Sequence, residues 1–218
     1  MSKELNKRII SSIILFPITI LFIYEGSILF NLFLIICLLL SCYEWHLMKK
    51  GNFINIFGHF FLIFSFFTIF KIRNDFAGEF FYLLFILTIC ISTDVGGYVV
   101  GRIVKGPKLN KISPNKTFSG TIGSFLFSLI STFIYLDYFN KIHNIKFSYE
   151  LIVFVILISM VSQIGDLLIS YFKRLSKIKD TGKLIPGHGG LLDRIDGMIF
   201  SFPFSYIIIS QNIFNFTL

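Results

Sequence analysis

The sequence predicts an all-α polytopic membrane protein, built as a bundle of about seven transmembrane helices with polar loops on the cytoplasmic side. Hydrophobic residues make up 55% of the 218 residues, whereas charged residues make up only 15%, and the mean hydropathy is +0.78. Apolar runs close to the roughly 20 residues that a bilayer-spanning helix needs recur along the chain. The basic residues collect in alternate loops between these runs, as they do in membrane proteins.

Seven segments qualify as spans. All are rich in Phe, Ile and Leu, and several are apolar on every face, as suits helices that contact lipid or the centre of a bundle. The predicted spans are residues 9–24, 26–43, 53–70, 79–100, 119–139, 149–170 and 194–215. We therefore predict one integral membrane domain over 1–218, with N-terminal spans in about 1–75 and the polar loops of interest in about 76–218.

The basic residues also give an orientation. With the N-terminus in the cytoplasm, 16 of the 20 Lys and Arg residues fall on the cytoplasmic side and 4 on the other. Because cytoplasmic loops collect Lys and Arg, we predict that the N-terminus and the main polar loops are cytoplasmic. We expect the membrane to be the bacterial inner (plasma) membrane. No removable signal sequence is recognisable, so we expect the first apolar run to remain a span.

The net charge of +8 does not by itself identify a binding partner. It reflects either this positive-inside bias or a polyanionic substrate. Nucleic acid is not expected, because the positive charge lies in short loops between spans. The three cysteines lie inside apolar runs and are interpreted as small buried residues rather than metal ligands; they are Cys37, Cys42 and Cys90.

The most polar stretch, residues 170–196, ends in two aspartates three positions apart. If the last helix begins near Leu191, Asp193 and Asp196 lie on one face of its first turn, and Asp166 lies near the cytoplasmic end of the preceding span. Three carboxylates at this point suit a hard divalent cation such as Mg²⁺. The alternative is that the pair only complements the dipole at the helix N-terminus, and that Asp166 is a polar residue near the membrane interface.

A glycine-rich segment and several cations accompany these carboxylates. The segment 186–190 leads into the last helix, where its backbone N–H groups can bind a phosphate, although most such segments are only turns. His188 can act as a general base, donate to a phosphate or order the loop. The flanking cations, which positive-inside bias explains in part, are Lys173, Arg174, Lys177, Lys179 and Lys183. Together these are the components of phosphoryl or nucleotidyl transfer.

The residues and their spacing resemble the signature of the phosphatidate cytidylyltransferase (CDP-diacylglycerol synthase) family. The signature positions present in this stretch are Ser170, Phe172, Lys173, Arg174, Lys179, Asp180, Gly182, Pro186, Gly187, His188, Gly189, Gly190, Asp193, Arg194 and Asp196. Three upstream segments also resemble family motifs: Asp94-x-Gly96-Gly97-Tyr98-x-x-Gly101-Arg102, Ile112-Ser113-Pro114-x-Lys116-Thr117-x-x-Gly120 and Ser162-Gln163-x-Gly165-Asp166. The resemblance thus covers residues 92–200, with Glu44-Trp45 as a further match.

Two features depart from the family pattern. The chain is shorter than typical members, chiefly in its N-terminal half, and Ser119 stands where an acidic residue is expected. The second departure puts a charged role at that position in doubt, but it does not affect the aspartates.

The resemblance implies cytoplasmic catalytic loops that transfer CMP from CTP to phosphatidate, giving CDP-diacylglycerol and pyrophosphate for phospholipid synthesis. It implies Mg²⁺ ligation by Asp166, Asp193 and Asp196, with Lys173 and Arg174 as further catalytic residues. The substrate-binding residues that it implies are Lys179, Asp180, Gly187, His188, Gly189, Gly190, Arg194, Arg102, Lys116, Thr117 and Asp94.

Several alternatives stay open at this point. Asp94 is either a site residue or a polar residue in a breaking helix, and Gly97 and Gly101 form a G-x-x-x-G pattern that is typical of helix packing. A CTP-dependent kinase of a polyprenol-type lipid alcohol is a second possible enzyme, and a small transporter is an alternative of another class. A second cation and a homodimer are both compatible with the main interpretation.

Overall fold

The structure, a computed structural model, describes residues 3–48, 51–76, 80–109, 113, 116–143, 148–185, 187 and 189–213. Within these residues every regular element is a helix, and β-type pairing is limited to two isolated bridges. The helices are α1 (Lys3–Glu25), α2 (Ser27–Leu47), α3 (Asn52–Asp75), α4 (Phe81–Val104), α5 (Phe118–His143), α6 (Tyr149–Leu175), α7 (Leu192–Ile195) and α8 (Met198–Ser210). The predicted all-α class is confirmed.

Five helices of the described chain are long and apolar enough to cross a membrane, and they match the second to sixth predicted spans; they are Ser27–Leu47, Asn52–Asp75, Phe81–Val104, Phe118–Phe139 and Tyr149–Leu175. The first and last predicted spans correspond to shorter apolar helices, Ile13–Glu25 and Met198–Ser210. Large apolar side chains are exposed along α1 to α6, as on the lipid-facing surface of a bundle. The chain is therefore an integral membrane protein, and within the described residues five of the about seven predicted spans reach full length.

The predicted last span is interrupted near its start. A turn at Asp196 and Gly197 separates the four-residue helix α7 from α8. The backbone at both turn residues keeps right-handed helical angles, with φ of −56° and −75°. The two helices thus follow nearly one course, and the turn buries Asp196 between α6 and α8.

Small residues bring α4 and α5 into very close contact. A methyl group added at Gly120 would lie 2.8 Å from the carbonyl oxygen of Gly97, and one added at Gly123 would lie 2.8 Å from the carbonyl oxygen of Gly96. Gly101 meets the same surface, because its added methyl group would lie 3.4 Å from the Gly120 Cα. The G-x-x-x-G pattern of α4 is therefore a packing surface, as the sequence allowed.

Two buried clusters connect the remaining helices. The larger one centres on aromatic and aliphatic side chains of α4 and α6, including Phe81, Phe85, Phe154 and Ile158. The smaller one joins the N-terminal helices to the C-terminal ones and consists of Trp45, Met48, Leu62, Ile169, Leu192 and Ile199. The smaller cluster is important for the site, because it packs α2 and α3 directly against α7 and its neighbours.

Candidate active site

A cavity of about 500 Å³ lies where α4 and α6 end and α5 begins. Its walls combine the polar residues of three helices with the loops that follow α4 and α6. The lining residues are Thr93, Asp94, Gly97, Tyr98, Ser113, Lys116, Thr117, Gly120, Thr121, Ser124, Gln163, Asp166, Lys173, Asp180, Asp193, Arg194 and Asp196. Nine of the residues that the sequence proposed for a site are therefore brought together in one cavity.

One face of α6 supplies three of these lining residues, together with Ser170. Gln163, Asp166, Ser170 and Lys173 follow each other at spacings of three and four, which places them on the same side of a helix. The Ser170 hydroxyl donates to Asp166 Oδ1 at 3.2 Å. Arg174 follows Lys173 directly and therefore points elsewhere: it is exposed and donates to the carbonyl oxygen of Ile178 at 3.3 Å.

The loop after α4 folds back on itself and carries Lys116 to this face of α6. The Leu109 N–H donates to the Lys116 carbonyl at 2.8 Å, and the Phe118 N–H donates to the Pro107 carbonyl at 3.1 Å. Thr117 ends the loop by capping α5, since its hydroxyl oxygen accepts the Gly120 N–H at 3.1 Å. The fold-back brings Lys116 Nζ to 2.6 Å from Asp166 Oδ2.

Ser119 serves the same loop. Its hydroxyl donates to the Lys105 carbonyl and lies 3.0 Å from the Thr117 hydroxyl. Ser119 is not among the lining residues of the cavity. The residue that departs from the family pattern therefore supports the loop and does not line the cavity.

Three carboxyl groups form the negative end of the cavity. Asp196, only 9% exposed, lies within side-chain hydrogen-bond reach of Asp166, and Asp94 is close enough to interact electrostatically with both. Burial, followed by the charges of Asp166 and Asp94, raises the pKa of Asp196 well above its usual range. Three carboxyl groups this close together mark a place where negative charge is in excess.

Asp193 faces the same cavity but is held by the protein itself. Its Oδ1 accepts Lys173 Nζ at 2.9 Å, and its Oδ2 accepts the backbone N–H groups of Thr181 at 2.8 Å and Gly190 at 2.9 Å. The Lys173–Asp193 ion pair is well shielded, with the two side chains 11% and 4% exposed. Asp193 therefore organises the loop between α6 and α7, whereas Asp166 and Asp196 are the pair in direct contact.

The fit of a divalent cation can be tested on these side chains. Within the described residues, no group of three or more His, Cys, Asp or Glu side chains has the arrangement of a metal site. The hydrogen-bonded Asp166 and Asp196 nevertheless supply two carboxylates. One or two carboxylates, completed by substrate phosphates and water, are the usual protein contribution to a Mg²⁺ site. The donor set therefore fits Mg²⁺ in the presence of a phosphate substrate.

The glycine-rich segment binds carboxylates of the protein itself. The Gly190 N–H donates to Asp193, and the N–H groups of Leu191 and Leu192 each donate to Glu44 at 2.8 Å. Gly189 has a positive φ of 88°, which a residue with a side chain rarely adopts. Within the segment 186–190, the Gly190 N–H is therefore occupied in fixing the loop.

Other predicted residues lie around the cavity rather than in it. Lys179 is exposed and Gly187 lies in an exposed turn, and neither lines the cavity. Arg102 donates to the hydroxyl of Tyr98, a lining residue, at 2.6 Å. Asp180 and Arg194 do line the cavity, whereas His188 lies outside the described residues.

Sequence reasoning missed the hydroxyl-bearing residues inside the helices. The Ser124 hydroxyl donates to the Thr93 carbonyl at 2.8 Å, and the Thr93 hydroxyl donates to Ser159 at 2.8 Å. These bonds join α4, α5 and α6 at the base of the cavity. The available signal was the presence of Ser and Thr on one face of otherwise apolar spans, where polar groups require partners.

Comparison with known proteins identifies related sequences. The family model described as the cytidylyltransferase family matches residues 51–211. The phosphatidate cytidylyltransferase of Staphylococcus saprophyticus is 40% identical over 131 residues, which is 60% of this chain and 49% of the relative. That of Brucella suis is 34% identical over 190 residues, covering 86% and 68% of the two chains.

A third relative, the phosphatidate cytidylyltransferase of Staphylococcus epidermidis, is 41% identical over 132 residues, or 60% of this chain and 49% of the relative. The chain thus spans about half the length of the staphylococcal relatives and about two thirds of that of the Brucella protein. The family match includes all the lining residues of the cavity.

Proposed function

Because the chain belongs to the cytidylyltransferase family, we propose that it is a nucleotidyltransferase that transfers CMP from CTP to phosphatidate, giving CDP-diacylglycerol and pyrophosphate. The observation that carries the proposal is the cavity at the end of α4 and α6. The cavity holds three aspartates that interact electrostatically with one another, and two buried or half-buried lysines. A reaction between two phosphate groups requires both kinds of charge.

The reaction itself places few demands on proton transfer. A phosphate oxygen of phosphatidate attacks the α-phosphorus of CTP, and the bond from that phosphorus to the bridging oxygen of the β-phosphate breaks. The electron pair of this bond leaves with pyrophosphate. Because the nucleophile is already an anion, a general base is not needed, and His188 is not required for the chemistry. The protein must instead neutralise and align two anions.

The lysines of the cavity suit that task. Lys116 and Lys173 each approach a carboxylate, at 2.6 Å and 2.9 Å, and both line the cavity. We expect them to bind phosphate oxygens of the substrates from opposite walls, with Arg194 and Thr117 as further donors. Arg174 and Lys179 are exposed outside the cavity and are better suited to the lipid headgroup region than to the reacting phosphates.

Asp166 and Asp196 are the residues that would hold Mg²⁺, with Asp94 beside them. A bound Mg²⁺ would neutralise phosphate oxygens and stabilise the developing charge on pyrophosphate. Asp193 supports the same wall through Lys173 and the backbone of the loop. This assignment differs from the metal set implied by the resemblance in one respect, since it gives Asp193 a structural task.

The site also suits substrates from two phases. Its walls are the ends of candidate spans and the loops between them, so in a membrane one side of the cavity would meet water and the other the bilayer. The excess of basic residues in these loops supports a cytoplasmic orientation in the bacterial inner membrane. CTP would enter from the cytoplasm and phosphatidate from the inner leaflet.

The identity of the acceptor is tested with purified protein in detergent. Given CTP, Mg²⁺ and either short-chain phosphatidate or a polyprenol-type lipid alcohol, the protein is expected to form CDP-diacylglycerol from phosphatidate and to leave the alcohol unchanged. Mass spectrometry of the lipid products provides the measurement. A phosphorylated alcohol with release of CDP would instead identify a CTP-dependent kinase, and turnover of neither lipid would contradict both enzymes.

A further inference from the structure

A carboxylate far from the loop in sequence is buried inside it. Glu44 of α2 is 3% exposed, and its two oxygens accept three hydrogen bonds of 2.8 Å each. The donors are the backbone N–H groups of Leu191 and Leu192 and the hydroxyl of Thr181. Among the ion pairs of the described chain, none includes Glu44. A buried carboxylate held only by such donors is stable because each donor is aimed at it.

The loop is shaped to receive this side chain. A methyl group added at Gly182 would lie 2.9 Å from Glu44 Oε1, and one added at Gly190 would collide with Glu44 Oε2. Beside the carboxylate, Trp45 and Leu192 belong to the same buried cluster. The glycines on both sides of the loop therefore let its backbone close around Glu44. This close approach explains the glycines at these two signature positions.

The bonds continue from Glu44 to the cavity. The Thr181 hydroxyl that donates to Glu44 also lies 3.1 Å from Asp193 Oδ2, and Asp193 is paired with Lys173. Leu191 and Leu192 immediately precede Asp193 and Arg194, so that fixing their N–H groups fixes the first turn of α7. Glu44 itself is not a lining residue, and it lies outside the segment 51–211 matched by the family model.

We propose that Glu44 is a positioning residue of the active site, which ties the start of α7 to α2 and thereby orients Asp193, Arg194 and Asp196 toward the cavity. This proposal depends on the proposed function only for which reaction the site catalyses. The N-terminal helices accordingly take part in organising the site, although the residues that line it all come from later in the chain.

The test compares Glu44→Gln with Glu25→Gln, which makes the same chemical change at an exposed position. Glutamine keeps the shape of the side chain, but it puts an NH₂ group against one of the donors. In hydrogen–deuterium exchange of the full chain in detergent, the peptide over 181–192 is expected to exchange about tenfold faster in Glu44→Gln, because hydrogen bonds to a charged acceptor are lost. Peptides from α4 and α5 are expected to keep the wild-type rate.

Activity gives the second readout. The Mg²⁺ concentration for half-maximal CDP-diacylglycerol formation is expected to rise about tenfold in Glu44→Gln, as it does when residues that orient ligands are lost, and to stay unchanged in Glu25→Gln. Unfolding of a fraction of the protein would lower the maximal rate without moving this concentration. If Glu44→Gln does not accumulate in folded form, Thr181→Val removes one donor, and a smaller increase in the same peptide is expected.

Unchanged exchange over 181–192 in Glu44→Gln would overturn the proposal, and so would a uniform increase over all helices or an unchanged Mg²⁺ requirement. If wild-type protein forms no CDP-diacylglycerol, the proposed function fails, whereas the exchange measurement still decides whether Glu44 holds the loop. The two ideas therefore fail separately.

Discussion

Lys116 Nζ lies 2.6 Å from Asp166 Oδ2, so that a lysine from the loop after α4 neutralises a carboxylate of α6 in the cavity wall. The two side chains are 26% and 27% exposed, which leaves the pair accessible from the cavity. Asp166 is also the hydrogen-bond partner of Asp196. Helix α5 and most of α6 separate Lys116 from Asp166 along the chain. The folded loop nevertheless brings the two side chains together.

Replacing Lys116 by glutamine is expected to lower kcat about 100-fold, the usual effect of removing one electrostatic contact to a reacting group. Lys71→Gln is the matched control, because Lys71 forms an ion pair with Asp75 at 2.9 Å, with the two side chains 32% and 43% exposed, and neither lines the cavity. Exposed pairs contribute little, so the control should keep wild-type activity. Comparable rates for Lys116→Gln and wild type would contradict the role of this lysine.

Asp193 and Asp196 are expected to respond differently to the same substitution. Asp193→Asn leaves the shielded Lys173 without its partner, and breaking a buried ion pair costs about 3 kcal/mol. Asp196→Asn removes an acidic group whose charged form is disfavoured by burial and then by the charges of Asp166 and Asp94, so the free energy of unfolding should not fall. Denaturant unfolding in detergent measures both; equal losses of stability would show that the two aspartates are not distinguished in this way.

Hydropathy and the alternation of basic loops predicted the helical class and most spans, because both follow from the cost of placing polar groups in lipid. The end of the chain was harder. The turn at Asp196 and Gly197 leaves helical backbone angles in place, so the apolar pattern runs through it without a visible break. The break between α7 and α8 is therefore visible only in the folded structure, where α8 packs against α6.

The site was predictable as a set of residues but not as a set of contacts. Asp166 and Lys173 share a helical face by their spacing, and this could have separated Lys173 from Arg174. Nothing local in the sequence indicates that Glu44 enters the loop, because its partner Leu191 lies 147 positions further along the chain. The bond from the Thr181 N–H to Asp193 likewise joins residues 12 positions apart across the loop. Such partners are determined by tertiary packing.

The exposed Arg174 provides a test of whether it differs in function from its neighbour Lys173. Its guanidinium donates to the Ile178 carbonyl at 3.3 Å and does not line the cavity. We therefore expect Arg174→Gln to keep kcat within about threefold of wild type, because exposed charges contribute little. Steady-state rates with CTP and phosphatidate measure the effect, and a loss comparable to that of Lys116→Gln would place Arg174 among the residues that act on the phosphates.

The contact between α4 and α5 gives a prediction for stability. Gly123→Ala adds a methyl group 2.8 Å from the Gly96 carbonyl oxygen, so the helices must move apart, at a cost of about 1–3 kcal/mol. Gly51→Ala is the control, since a methyl group added there meets nothing within 4 Å. The midpoint of thermal unfolding in one detergent should fall for Gly123→Ala and stay unchanged for Gly51→Ala. An unchanged midpoint in both would contradict the close packing of this pair.

The central claim is that the carboxylates around Asp196 serve cytidylyl transfer to phosphatidate. The direct measurement is pyrophosphate release by purified protein with CTP, Mg²⁺ and short-chain phosphatidate, compared between wild type and Asp196→Asn. We predict release from wild type in a one-to-one ratio with CDP-diacylglycerol, its loss on chelation of Mg²⁺, and a rate at least about 100-fold lower in Asp196→Asn. No release by folded wild-type protein, or equal release by Asp196→Asn, would contradict the account.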